Sequence, residues 1–163
     1  MATLTARPVL SDVLWPSTGR QIWLKRLVLL VAGVAALWIS AKVQVASVPV
    51  PVTLQMLVVM VIGAAYGPYL AASTVGAYLL MGAQGLPVFA GTPEKGIGLA
   101  YMMGPTGGYL IGFLIAAYAV GLLARAGWDR SWLSMAAAMA VGIVCVYVPG
   151  VIWLSATWGA ALG

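Results

Sequence analysis

The run TLQMLVVMVIGAAYGPYLAASTVGAYLLM, from Thr53 to Met81, decides what kind of protein this is. It carries no charge, and Gly67-Pro68 divides it into two apolar segments, Thr53 to Tyr66 and Tyr69 to Met81. Proline lacks a backbone N–H and glycine favours a turn, so the chain breaks there. Both segments are short, since thirteen or fourteen residues rise only about 20 Å against a hydrocarbon core of about 30 Å. Helices that fall short leave irregular backbone at membrane depth, which is tolerated only where protein covers it or where it lines a wet pocket. The pair predicts a membrane protein with a cavity.

The surrounding sequence agrees. Between Lys42 and Glu94 lie 51 uncharged residues, then 29 from Gly96 to Ala124 and 33 from Ser131 to Gly163. With 63% hydrophobic and 7% charged residues, and a mean hydropathy of +1.05, there is too little polar surface to cover a water-soluble globule. The expected fold is all-α, a polytopic membrane helix bundle, with residues 1–22 as a polar arm and 23–163 as the membrane domain. Span one runs from about Leu24 to Val45, the two short segments follow, span four is Gly104 to Ala124, and span five is Trp132 to Trp158 with a kink at Pro149-Gly150. A cleaved signal peptide, with small residues at Val45-Ala46-Ser47, is the rival reading of span one, but the sequence after it is itself membrane-like.

Composition also excludes chemistry. There is no histidine, and Asp12, Glu94 and Asp129 are the whole acidic complement, so a histidine triad, a metalloprotease helix or an intramembrane carboxylate pair cannot be assembled. An enzyme is not expected, nor a metal site. Lone Cys145 sits in an apolar run and reads as a small buried hydrophobe. The net charge of +5 is scattered around the spans and forms no stripe for nucleic acid. Its distribution sets topology instead: Arg7, Arg20, Lys25, Arg26, Arg125 and Arg130 fall on one side, Lys42 and Lys95 on the other. The positive-inside bias then places the N-terminus in the cytoplasm and the loop Gly82 to Met103 outside.

Several residues invite a functional reading beside a structural one. Prolines pre-set an extended approach in Val48-Pro49-Val50-Pro51, Thr53 can cap the helix that follows, and Gln55 in its first turn is either a ligand group or interhelical glue. Tyr78, Gly82 and Phe89 lie toward the loop, where aromatics serve an interface belt or a pocket. Gly104-Pro105-Thr106-Gly107-Gly108-Tyr109 either offers free N–H groups to an anion or permits close helix contact. Lys42 either snorkels or faces a wet cavity. Ala32 and Ala36, with Ser40 beyond, make a small-residue ridge for packing or docking. No phosphate-binding Gly-x-x-x-x-Gly-Lys is present.

The order of three motifs resembles the BioY family, biotin-specific substrate-binding subunits of energy-coupling-factor transporters. They are Val48-Pro49-Val50-Pro51-Val52-Thr53-Leu54-Gln55, then Tyr78-Leu79-Leu80-Met81-Gly82-Ala83-Gln84-Gly85-Leu86-Pro87-Val88-Phe89-Ala90-Gly91, then Gly104-Pro105-Thr106-Gly107-Gly108-Tyr109-Leu110. The likeness covers about Leu24 to Leu154. It implies a six-helix fold, five of whose spans are read here, a pocket near the outer face, and biotin as transported substrate with no cofactor. Gln55 would serve the ureido ring, Tyr78, Phe89 and further aromatics such as Tyr109 would cover the bicycle and valeryl chain near Gly82, and Lys42 is a candidate for the carboxylate. The Ala32, Ala36 and Ser40 ridge would dock on a transmembrane coupling subunit joined to ATPase subunits, with self-association as the other route, all in a bacterial cytoplasmic membrane and its lipid.

The family continues past the fifth helix with a Pro-Phe segment, a Gly-Asp and a lysine. These have no counterpart before Gly163, so the pocket is expected to lack the charged partners they carry. A substrate-binding subunit for another vitamin, or a structural subunit that binds no small molecule, are the competing readings.

Overall fold

The computed structural model describes residues 7–16, 19–45 and 50–162. Val48 and Pro49 of the expected extended approach lie outside them. The described chain forms α1 (Leu10–Leu14), α2 (Gln21–Lys42), a two-residue strand pair β1 (Gln44–Val45) and β2 (Val52–Thr53), α3 (Gln55–Tyr66), α4 (Pro68–Ala83), α5 (Gly98–Met102), α6 (Gly107–Arg125), a 3-10 turn at Trp128–Arg130, and α7 (Trp132–Leu162). Three helices, α2, α6 and α7, are long and apolar enough to cross a membrane. At 12 and 16 residues, α3 and α4 rise about 18 and 24 Å and stay shorter than the hydrocarbon core. Pro68 opens α4 in the first turn, where its missing N–H costs nothing.

Helix α6 is the centre of the bundle, packed against α3, α4 and α7. Its small residues set the spacing. A side chain at Gly112 would come within 2.7 Å of the Val146 backbone, and one at Gly108 within 2.5 Å of the Pro149 carbonyl oxygen, so only glycine lets α6 and α7 approach this closely. Gly107 and Gly108 of Gly104-Pro105-Thr106-Gly107-Gly108-Tyr109 therefore serve close packing of α6 on α7. The Gly107 amide is already bonded to the Gly104 carbonyl (3.1 Å). Helix α7 continues through Pro149 without ending.

Three local details differ from the sequence reading. Thr53 does not cap α3: it belongs to the strand pair, opposite Gln44, while Leu54 occupies the N-cap and its amide donates to the Val43 carbonyl (3.0 Å). The ladder holds the chain at Thr53 extended, one residue before the N-cap. Span one begins earlier and ends earlier than expected, at Gln21 and Lys42. Within the N-terminal arm, Val9 is fully buried against Ala64, Val120 and Ala124, and α1 packs on α3. Elsewhere the outer faces of α2 and α7 are apolar and exposed, as with Leu27, Val31, Ile143 and Val151, which suits lipid as solvent.

Candidate functional site

A cavity of about 210 Å³ opens where β2, the first turn of α3, α5, the start of α6 and the middle of α7 converge. Its polar lining includes Thr53, Gln55 and Thr106; its aromatic lining is Tyr101, Tyr109, Phe113 and Tyr147. The irregular strand pair and loop beside it are the backbone that two short helices leave at this end.

Gln55 is 3% exposed, and its Nε2 has no hydrogen-bond partner among the described residues. A buried amide left unpaired costs about 1–3 kcal/mol, a penalty that a ligand carbonyl or carboxylate at the cavity would remove. Tyr109 stands edge-on to Tyr147 with ring centroids 5.9 Å apart, forming one aromatic wall.

The opposite wall is built from behind. Tyr78 is fully buried and its hydroxyl donates to the Val88 carbonyl (2.9 Å). Its ring meets the edge of Phe89 at 5.5 Å, and Phe89 stacks on Tyr101 at 5.0 Å with planes 17° apart. Gly82 makes room for this relay, because a Cβ there would lie 2.0 Å from the Phe89 Cζ. Tyr78, Gly82 and Phe89 thus shape the cavity through Tyr101 without lining it. Burial raises the Tyr101 phenol above its ordinary pKa, so it stays neutral and able to donate.

Lys42, exposed at the end of α2, turns its ammonium onto the loop that follows α4. Its ammonium donates to the carbonyls of Pro87 (2.9 Å), Phe89 (3.2 Å) and Thr92 (3.3 Å) and to the Thr92 hydroxyl (3.2 Å). Four oxygens share three N–H donors, and the C-terminus of α2 is thereby tied to the loop that carries Phe89. Lys42 does not line the cavity. Of the ridge on α2, Ala32 and Ala36 are exposed, whereas Ser40 is 3% exposed and donates to the Leu37 carbonyl (3.0 Å). Each step of four residues advances about 40° round a helix, so Ser40 has turned from the outer face into the core.

Sequence reasoning missed Tyr101, Phe113 and Tyr147, and named Thr106 only as part of the glycine motif. Their types recur throughout the chain, and only packing assigns them to one cavity.

Fold and site together define a polytopic helical membrane protein with a small-molecule pocket enclosed between helices near one end of the bundle. The chain belongs to the BioY family, whose model matches residues 11–163. It is 38% identical over 122 residues to the probable biotin transporter BioY of Pyrococcus horikoshii, covering 75% of this chain and 69% of that protein. To the biotin transporter BioY of Thermotoga maritima it is also 38% identical over 122 residues, covering 75% and 67%. A solved structure of the S-component for biotin from an ECF-type ABC transporter superimposes with a TM-score of 0.77 at 27% identity, covering 88% of this chain and 78% of that one.

Proposed function

We propose that this chain is the biotin-binding membrane subunit of an uptake system, and that the cavity at Gln55 holds the ureido-thiophane bicycle. The observation that carries the reading is the buried Gln55 amide, whose Nε2 has no hydrogen-bond partner among the described residues, in a cavity lined mainly by aromatic and aliphatic side chains. Biotin's ureido carbonyl is an acceptor for Gln55 Nε2, its fused rings are covered by Tyr101, Tyr109 and Tyr147, and its valeryl chain leads outward. A volume of about 210 Å³ is below the ≈ 300–1,000 Å³ common for drug-sized ligands and suits a compact head group.

The other residues take supporting roles. Tyr78, Gly82 and Phe89 position Tyr101, and Lys42 fastens the loop. The separation of basic residues between the two ends of the bundle supports a cytoplasmic N-terminus in a bacterial inner membrane, with the cavity end outward. Exposed Ala32 and Ala36 suit close approach by a helix of a coupling subunit that brings ATPase subunits. The sequences and structure that match are all biotin transport proteins, which favours biotin over another vitamin.

The test is equilibrium biotin binding to detergent-purified protein. Gln55→Leu removes the amide without emptying the site and should weaken binding about tenfold or more, since the ureido oxygen is left unpaired. Unchanged affinity with a monodisperse protein would remove Gln55 from the site.

A further inference from the structure

The opposite end of the bundle contains a second and larger hollow, of about 690 Å³. Its charged lining is Lys25, Arg26 and Arg125 against a single carboxylate, Asp12. Lys25 is 6% exposed and already paired, its Nζ lying 3.1 Å from Asp12 Oδ1. That pairing leaves both arginines in excess. Arg125 is pressed against the turn between α3 and α4, where a Cβ on Gly67 would come within 2.9 Å of its Nε. This Nε is buried and has no hydrogen-bond partner among the described residues. A guanidinium held rigidly with an unspent donor is suited to a bidentate oxyanion.

The hollow is not uniformly polar. Ile22 and Leu70 line it beside the arginines, and Tyr69, 69% exposed, stands at its rim. It also lies at the end of the helices where six of the eight basic residues gather, the side expected to meet anionic headgroups. A free phosphate has no use for apolar lining, whereas a phosphate ester joined to acyl chains does.

We propose that this hollow binds the phosphate of an anionic phospholipid headgroup, with Arg125 and Arg26 as its ligands. The cost of the buried Arg125 donor is then met by the membrane itself, and the site is independent of the biotin cavity at the other end.

The experiment is native mass spectrometry of the purified chain released from detergent, with short-chain phosphatidylglycerol, phosphatidylcholine of the same chain length, and inorganic phosphate as probes. Phosphatidylglycerol should be retained at least tenfold better than phosphatidylcholine, and Arg125→Gln should lower that retention about tenfold while biotin affinity stays unchanged. Arg26→Gln, at an exposed position, should act in the same direction and provides the test if Arg125→Gln fails to fold. Equal retention of the two lipids, or no effect of Arg26→Gln, would overturn the proposal. Displacement of phosphatidylglycerol by inorganic phosphate at equal concentration would show a free-anion site and overturn the lipid assignment.

Discussion

Adding one methyl group at Gly82 should damage a cavity that Gly82 does not touch. The new Cβ would stand 2.0, 2.3 and 2.6 Å from Phe89 Cζ, Cε2 and Cε1, where carbon atoms rest at about 3.5–4.0 Å. The ring must therefore move by roughly 1.5–2 Å, a distance that breaks its edge contact with Tyr78 and its stack on Tyr101. Each aromatic pair contributes about 0.5–1.5 kcal/mol, so about 1–3 kcal/mol is lost from the wall that Tyr101 presents to the cavity. If that loss falls on the bound state, Gly82→Ala weakens biotin binding by about five- to 150-fold. Gly76→Ala on the same helix is the control, because its Cβ would meet only Leu114 Cδ1, at an ordinary 4.0 Å. Titration of both variants with biotin, alongside thermal unfolding, separates the effects. Wild-type affinity in Gly82→Ala would refute the relay from Gly82 through Phe89 to Tyr101.

Three more outcomes follow from the same geometry. Lys42→Met should release the Pro87 to Thr92 segment and speed its amide hydrogen exchange about five- to thirtyfold, for a loss of about 1–2 kcal/mol from an exposed charge-assisted cluster, and unchanged exchange would show that the ammonium is not a fastening. Ala32→Trp with Ala36→Trp should abolish co-purification with a coupling subunit while sparing biotin binding, because both positions face outward; loss of binding as well would assign the ridge to internal packing. With Cys145 replaced, a cysteine at the exposed Glu94 should react with an impermeant thiol reagent in intact cells and one at Trp128 should not, and labelling at Trp128 alone would invert the topology.

What the sequence determined by itself is whatever depends on runs of side chains. Uncharged stretches separated by Gly67-Pro68 and by the Arg125 to Arg130 segment dictate a polytopic bundle of membrane helices, because burial of apolar length needs no knowledge of partners. The shortness of the two middle segments correctly pointed to a cavity, and three ordered motifs pointed to the family. The tertiary structure decided everything that depends on where a side chain's partner lies. Lys42 looked equally fit for snorkelling or for a ligand, and the carbonyls 45 to 50 residues away that surround its ammonium were visible only in the tertiary structure. Gln55 was ligand or glue by sequence, and only the tertiary structure shows that its Nε2 has no hydrogen-bond partner among the described residues. Tyr101 and Tyr147 were indistinguishable from belt aromatics because residue type records chemistry and not direction, and direction is fixed by the glycine-permitted approach of α6 to α7 and by the stack on Phe89.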